Sequence, residues 1–269
     1  MTGPLGCPCE GRFLEIAWTY DTPPEGETPF PFLEGRYQRG VSGCQACGHL
    51  VLDPGVDLDE LYGGGYVDAT YGDGMRETFE RVIGLSGQSS DNAGRVRRVI
   101  DFCAPHLSTG RAPRALDIGS GLCVFGWALA REGWDVLALD PDERAAEHAR
   151  EVAGVAAVHA DFMVAADLGR HDLVSMNKVL EHVTDPLAML TRAREFLAEG
   201  GVVYIEVPDG EAARGDGPGR EEFFIEHLHA FSAASLAMLI ERAGLATLQI
   251  DRLREPSGKF TLVAFCREP

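Results

Sequence analysis

Along the second half of the chain, compact apolar runs alternate with segments whose apolar residues recur at helical spacing, the order that a parallel sheet requires. The runs at Arg114 to Ile118, Trp134 to Leu139, Ala156 to His159, Asp172 to Met176 and Val202 to Val207 predict five strands with helices between them. One helix follows Asp185 and Pro186, a cap and a first-turn proline, and is expected to stop at Gly200-Gly201. Another begins at Ser232, sets Leu236, Leu239, Ile240 and Ala243 on one face, and ends at Gly244. The final runs, Leu248 to Leu253 and Phe260 to Phe265, suit a terminal strand pair. The fold class is therefore α/β, with a mainly parallel seven-stranded sheet and helices on both faces.

The first hundred residues carry different patterns. Alternation through Leu14, Ile16, Trp18 and Tyr20 predicts a strand, and Pro23, Pro24, Pro29 and Pro31 mark a loop behind it. Tyr62 to Arg76 is a loop by its glycines, whereas Asn92 to Cys103 places Val96, Val99, Ile100 and Cys103 at helical spacing. Three regions result: a cysteine-bearing module over residues 1–60, a helical linker or cap over 61–110, and the α/β domain over 111–269.

Composition narrows the function. With 45% hydrophobic residues in 269, the chain can bury a full core. A net charge of −18 argues against a nucleic-acid partner, which needs clustered cations to neutralise phosphates. The one basic cluster, Arg95-Val96-Arg97-Arg98, is read as the solvated face of a helix. The first residues lack a charged region followed by an apolar one, and no apolar run approaches membrane-spanning length, so a cytoplasmic protein without a membrane partner is expected.

Two cysteine pairs, Cys7 with Cys9 and Cys44 with Cys47, bracket the alternating strand in a zinc-ribbon-like arrangement. The second knuckle, C-Q-A-C-G-H, has the usual form; the first, C-P-C, is one residue short, which leaves His49 or solvent as an alternative fourth ligand. A zinc held here would be structural, because four protein ligands leave no open position.

The candidate chemistry begins at Ala115 to Gly126, A-L-D-I-G-S-G-L-C-V-F-G, with Asp140 closing the next apolar run. A small-residue turn after a buried strand lets a ligand touch backbone, and an acid at the next strand end can hold a ribose. A dinucleotide site would need a third glycine where Val124 stands. From about Arg111 onward the chain instead resembles the class I, Rossmann-like S-adenosylmethionine-dependent methyltransferases, with Cys123 in place of that family's third glycine. The resemblance implies that Asp117, Gly119, Ser120 and Gly121 face the methionine part of the donor, and that Asp140, next to Pro141, accepts the ribose hydroxyls. It also implies that Asp161 bonds the adenine amino group with Phe162 alongside, that Asn177 joins the donor site, and that Tyr71 covers it.

Two further strings resemble that family. In N-K-V-L-E-H-V-T-D-P, Asn177 to Pro186, the resemblance places His182 near the transferred methyl. Quinone O-methyltransferases with a similar segment use it around a metal, which leaves a metal-assisted variant open at Glu181 and His182. In E-F-F-I-E-H-L-H-A-F-S, Glu222 to Ser232, an extended backbone would point His227 and His229 together with Glu226 opposite. Sugar C-methyltransferases with an N-terminal cysteine ribbon share this string, and the resemblance makes His227 the base, with His182 and Glu226 as further catalytic candidates. The expected activity is methyl transfer to a small molecule, a sugar or nucleotide-linked sugar, with O-transfer placed ahead of C-transfer. The alternatives are a quinone-type or other secondary-metabolite O-methyltransferase, a nicotinamide-dependent oxidoreductase and a non-catalytic scaffold.

Overall fold

The computed structural model describes residues 6–10, 13–30, 33, 37–56, 74–107 and 110–269. Tyr71 lies outside the described residues. In chain order, the N-terminal strands are β1 (Leu14–Tyr20), β2 (Arg39–Cys44) and β3 (Leu50–Asp53), followed by helices α1 (Met75–Ile83) and α2 (Asp91–Cys103). The alternating half then runs β4 (Arg114–Ile118), α3 (Val124–Arg131), β5 (Asp135–Asp140), α4 (Glu143–Glu151), β6 (Ala156–His159), β7 (His171–Asn177), α5 (Pro186–Ala193) and β8 (Leu197–Pro208). It closes with a short helix α6 (Gly210–Ala213), β9 (His229–Ala230), α7 (Ala233–Arg242), β10 (Ala246–Arg254) and β11 (Phe260–Arg267).

Seven strands form one sheet in the order β10-β11-β8-β7-β4-β5-β6. From β8 to β6 every pairing is parallel, while β11 joins β8 and β10 joins β11 in antiparallel register. The central strands are covered on both sides, which is why β4, β7 and β8 read as near-continuous apolar runs. Alternate residues of β4 serve the two layers. Leu116 and Ile118 pack with α5 and α7 through Leu190, Leu236 and Ile240, whereas Ala115 packs with α2 and α3 through Val99 and Leu129.

The capping signals hold at both sites where they were read. Asp185 accepts from the Ala188 amide, and Ser232 forms a capping box with Ser235. The expected helix stop at Gly200-Gly201 is corrected: α5 ends at Ala193 and both glycines lie in β8. There a β-carbon on Gly201 would stand 2.9 Å from the carbonyl oxygens of Ala198 and His171, so the glycine serves an irregular stretch of the β7–β8 pairing.

A second sheet, in the order β1-β2-β3-β9, joins strands of the first sixty residues to the short strand at His229–Ala230. Leu50 faces Ala230 and Val51 faces His229, so the C-terminal half supplies an edge strand to the N-terminal module. The core between them contains Tyr20, Val41, Leu50, Leu52, Phe223 and Ala230. On β1 the expected alternation fails at Ile16, which is exposed, because the pairing with β2 shifts register between Ile16 and Trp18. At the seam, a β-carbon on Gly210 would lie 2.8 Å from the Ala230 β-carbon. Gly210→Ala is therefore expected to lower stability by roughly 1–3 kcal/mol in chemical denaturation, as an overpacked contact does.

Candidate functional site

The turn after β4 is drawn over the end of β5. The Leu139 carbonyl accepts from the amides of Gly119 (2.8 Å) and Ser120 (3.2 Å), and the Gly121 amide donates to Asp140 Oδ2 at 2.8 Å. The other Asp140 oxygen accepts from the Asp142 amide at 2.9 Å, so both oxygens are oriented before any ligand arrives. Burial pushes this carboxyl up, against the pull of those two amides. At the end of β4, Asp117 accepts from Ser175 Oγ (2.7 Å) and Asn177 Nδ2 (2.9 Å), and burial pushes it up to about 6. Cys123 adopts the left-handed region (φ 56°) that a glycine would favour. Its buried sulfur occupies the space in front of Gly126, 3.1 Å from where a β-carbon would stand, so the two positions are coupled.

These groups open onto a cavity of about 1340 Å³. Asp117, Gly119, Ser120, Gly121, Asp140, Pro141, Asp161, Phe162 and Asn177 line it, as do His182, Glu226 and His227. Asp161 sits at the exposed rim with Oδ1 on the Met163 amide at 2.8 Å, and the Phe162 ring packs on Phe196. Two buried polar atoms in this wall have no protein partner, Ser120 Oγ and Asn177 Oδ1. Such atoms in a ligand-sized cavity fit a bound polar molecule.

Opposite them, Glu181, His182 and His227 bring one ligand atom each within 4.8 Å of the others. His182 Nδ1 donates to the Glu226 carbonyl (2.8 Å) and His227 Nδ1 to the Glu222 carbonyl (3.0 Å), which leaves each Nε2 as the lone-pair nitrogen of the neutral ring. Burial holds His182 down at about 4 and His227 well below the usual range, so both are neutral at pH 7. Burial pushes Glu181 up to about 8 and Glu226 up to about 7. Both Glu181 carboxyl oxygens are buried without a hydrogen-bond partner.

The expectation that His227 and His229 point together is corrected. Residues 221–226 curl through a 3₁₀ helix and a turn, and only His229 and Ala230 are extended. His227 consequently faces His182, with ring centroids 4.9 Å apart. His229 turns the other way, its Nδ1 3.1 Å from His49 Nε2.

The reading of the basic cluster as a solvated face is also corrected. Arg97 is exposed, but Arg95 turns inward and makes a bidentate pair with Glu206 at 2.7 and 2.5 Å, while Arg98 bonds Glu255 at 3.0 Å. Glu206 was missed by the sequence reading, although a lone acid within V-V-Y-I-E-V-P was a legible signal for a buried charge needing a partner. Phe224, inside the string from Glu222 to Ser232 but given no role there, also lines the cavity, as do Lys259 and Phe260, which carried no motif.

At the N-terminus all four cysteines converge. Cys7 Sγ lies 2.8 Å from Cys9 and 3.2 Å from Cys47, and Cys9 lies 3.6 Å from Cys44. Sulfurs around a tetrahedral zinc at ~2.3 Å stand roughly 3.8 Å apart, so the set fits that ion after small adjustment. Burial raises the Cys44 thiol, but the Cys47 and Ala46 amides outweigh it and bring it to about 7. His49 is engaged with His229 and Ser235 and is not the fourth member of the set.

Comparison with known proteins adds a family. A family model described as a methyltransferase domain matches residues 89–250. A ubiquinone biosynthesis O-methyltransferase of Caulobacter sp. (strain K31) is 36% identical over 107 residues, covering 36% of this chain and 42% of that protein. That of Methylococcus capsulatus is 32% identical over 113 residues, covering 39% and 47%. The chain thus spans less than half the length of these curated relatives. The Burkholderia thailandensis 1,6-didemethyltoxoflavin-N1-methyltransferase, solved with S-adenosylhomocysteine, superposes with a TM-score of 0.58 at 20% identity over 86% of this chain and 95% of that one. The magnesium protoporphyrin IX methyltransferase of Synechocystis PCC 6803 gives 0.59 at 14% identity over 79% and 100%. At those identities the likeness is one of fold. No helix among the described residues is long and apolar enough to cross a membrane.

The Arg95–Glu206 pair yields a pH prediction. Burial pushes Glu206 up, yet the Arg95 charge and hydrogen bonds, with Lys178 and Tyr204, outweigh it and hold the carboxyl at about 2, against 4.5 unperturbed. A depressed carboxyl stabilises the fold fully above its unfolded value and progressively less as pH falls from about 4.5 to about 2. Glu206→Gln, which leaves Arg95 buried and unpaired, is expected to cost roughly 3–5 kcal/mol at neutral pH in urea unfolding and to flatten the acid limb over that window.

Proposed function

We propose, from the premise that this chain belongs to the methyltransferase domain family, that it transfers a methyl group from S-adenosylmethionine to a small-molecule acceptor, a sugar or nucleotide-linked sugar. The observation that carries this reading is the meeting of the strand-end turn, Asp140 and two neutral histidines in one cavity. Val124 at the position of a dinucleotide site's third glycine weighs in the same direction, against the nicotinamide-dependent alternative.

The donor supplies a sulfonium methyl group, which moves by in-line displacement. Asp140, oriented by two amides, receives the ribose hydroxyls as acceptor-only oxygens, and Asp117 with Asn177 holds the amino-acid end. Ser120 Oγ and Asn177 Oδ1 gain the partners they lack. Asp161 meets the adenine amino group at the rim, with Pro141 and Phe162 in the wall. Tyr71 remains a candidate cover for the donor.

His227 takes the acceptor's proton at Nε2, since its Nδ1 proton is fixed on the Glu222 carbonyl. His182, in the same tautomer beside it, orients the acceptor or shares that proton. Glu226 completes the wall as a carboxyl pushed toward neutrality. The low basicity of the paired imidazoles matters for chemistry: proton removal must accompany methyl transfer rather than precede it. Methyl transfer to a hydroxyl oxygen, which loses its proton as the bond forms, suits that order better than transfer to a carbanion that must form first.

A second reading is favoured by the Glu181, His182 and His227 ligand atoms within 4.8 Å of one another and by the names of the curated relatives: a quinone-type O-methyltransferase with a divalent cation at those three groups. Chelation that abolishes turnover without disturbing the cysteine cluster would favour it. At the N-terminus, Cys7, Cys9, Cys44 and Cys47 are proposed to hold a structural zinc.

Three outcomes test these roles. With nucleotide-sugar acceptors, His227→Ala is expected to lower turnover by roughly 10²-fold or more while leaving donor affinity within about twofold; an unchanged rate removes the histidine from the chemistry. Asp140→Ala should weaken donor binding by about tenfold or more in calorimetry, a loss of the order carried by one charge-assisted hydrogen bond. Metal analysis should find about one zinc per chain, lost on Cys44→Ser.

A further inference from the structure

The cysteine knuckle and the acceptor wall meet through a buried contact that neither the donor site nor the zinc uses. His49, two residues past Cys47, is fully buried, and so is His229, two residues past His227. His49 Nε2 lies 3.1 Å from His229 Nδ1, and His49 Nδ1 lies 3.3 Å from Ser235 Oγ. Two facing ring nitrogens make a hydrogen bond only when one carries a proton and the other a lone pair, so the pair is a single shared-proton contact. Around it, Ser232 Oγ donates to the Cys47 carbonyl, and the Leu52 amide donates to the Leu228 carbonyl at 2.9 Å.

The other side of the same two residues belongs to the cavity. The Glu181 carbonyl accepts from the amides of Leu228 (2.7 Å) and His229 (3.2 Å). Residues 228–229 are thus clamped between the knuckle and the turn that carries His182. One residue earlier, His227 takes its orientation from the Glu222 carbonyl, within a segment of turns. The near end of that segment is held at Glu222, which accepts from Arg220 and the Phe260 amide, and at Ile225, whose amide donates to Glu27; beyond Ile225 no ladder holds the backbone until the clamp at 228–229.

We infer that His49 and His229 are positioning residues, through which zinc loading of the four cysteines orders the 222–229 segment and so aims His227 into the cavity. The inference rests on the reading of that segment as the acceptor wall and of the cysteines as zinc ligands. It assigns the N-terminal module a task in the reaction at the acceptor side, separate from the donor side, whose turn is held by the Leu139 carbonyl and makes no use of the knuckle.

The test needs no acceptor. Hydrogen exchange is followed in peptides covering 222–229 and 115–121, with S-adenosylhomocysteine affinity measured by calorimetry and zinc content in parallel. Samples are the zinc-loaded protein, the chelator-stripped protein, His49→Leu and His49→Gln. Stripping and His49→Leu should each speed exchange over 222–229 by about tenfold or more, with 115–121 and product affinity unchanged within about twofold. His49→Gln, whose amide can reach His229 Nδ1, should restore protection. Unchanged exchange over 222–229, equal loss in both segments, loss of zinc from His49→Leu, or no rescue by Gln would overturn the inference. These readouts do not involve catalysis, so they fail separately from the role given to His227, which the turnover of His227→Ala decides.

Discussion

The whole strand-end turn at the mouth of the cavity depends on one carbonyl. Leu139, the penultimate residue of β5, accepts from both Gly119 and Ser120, which bends the chain leaving β4 across the neighbouring strand end. That bend places the Gly121 amide on Asp140 and sets Cys123 as the cap from which α3 starts at Val124. A parallel sheet makes this arrangement available, because all its strand ends of one polarity lie along one edge. Asp117, Asp140, Asp161 and Asn177 follow strands or close them, and they converge without any being adjacent in sequence.

Charge is managed behind that edge rather than at it. Glu206 on β8 is fully buried and is matched by Arg95 from α2, with the Tyr204 hydroxyl adding a bond at 2.9 Å. Asp117, reached by the field of the same arginine, stays near pH neutrality in its titration because burial outweighs what Arg95, Ser175 and Asn177 contribute. Carboxyls of opposite tendency therefore lie near one another: Glu206, behind the cavity, is held ionised by Arg95, whereas Asp117 and Glu181 in its wall are driven toward the neutral form by burial.

What the sequence disclosed follows the range of the interactions concerned. Periodicity and caps are local, so the five parallel strands, the terminal pair and the starts of α5 and α7 were legible within a residue or two, except the start of β8, which lies at Leu197 and not at Val202. Glycine is ambiguous between a helix stop and a close backbone approach, and at Gly201 the second reason won. Among the described residues, those expected from motif position to face a donor share one cavity, since the motif is itself a statement about strand ends. The contacts that escaped are those across the fold: Arg95 with Glu206, His49 with His229, and β3 with β9. Nothing local distinguishes an arginine on a wet helix face from one whose partner is 111 residues away.

The pairing of β3 with β9 has a consequence for the order in which this chain is made. His49 and His229 are separated by 180 residues, so the apolar side of the first sheet, with Val41, Leu50 and Leu52, leaves the ribosome long before the strand and the phenylalanine that cover it. Contacts this distant in sequence form late and leave their early halves exposed in the interval. The N-terminal module can gather its four thiols early, but it acquires its final edge only after the 180 residues that separate His49 from His229 have been made. The last structural step on that side of the molecule is therefore also the one that closes the wall of the cavity.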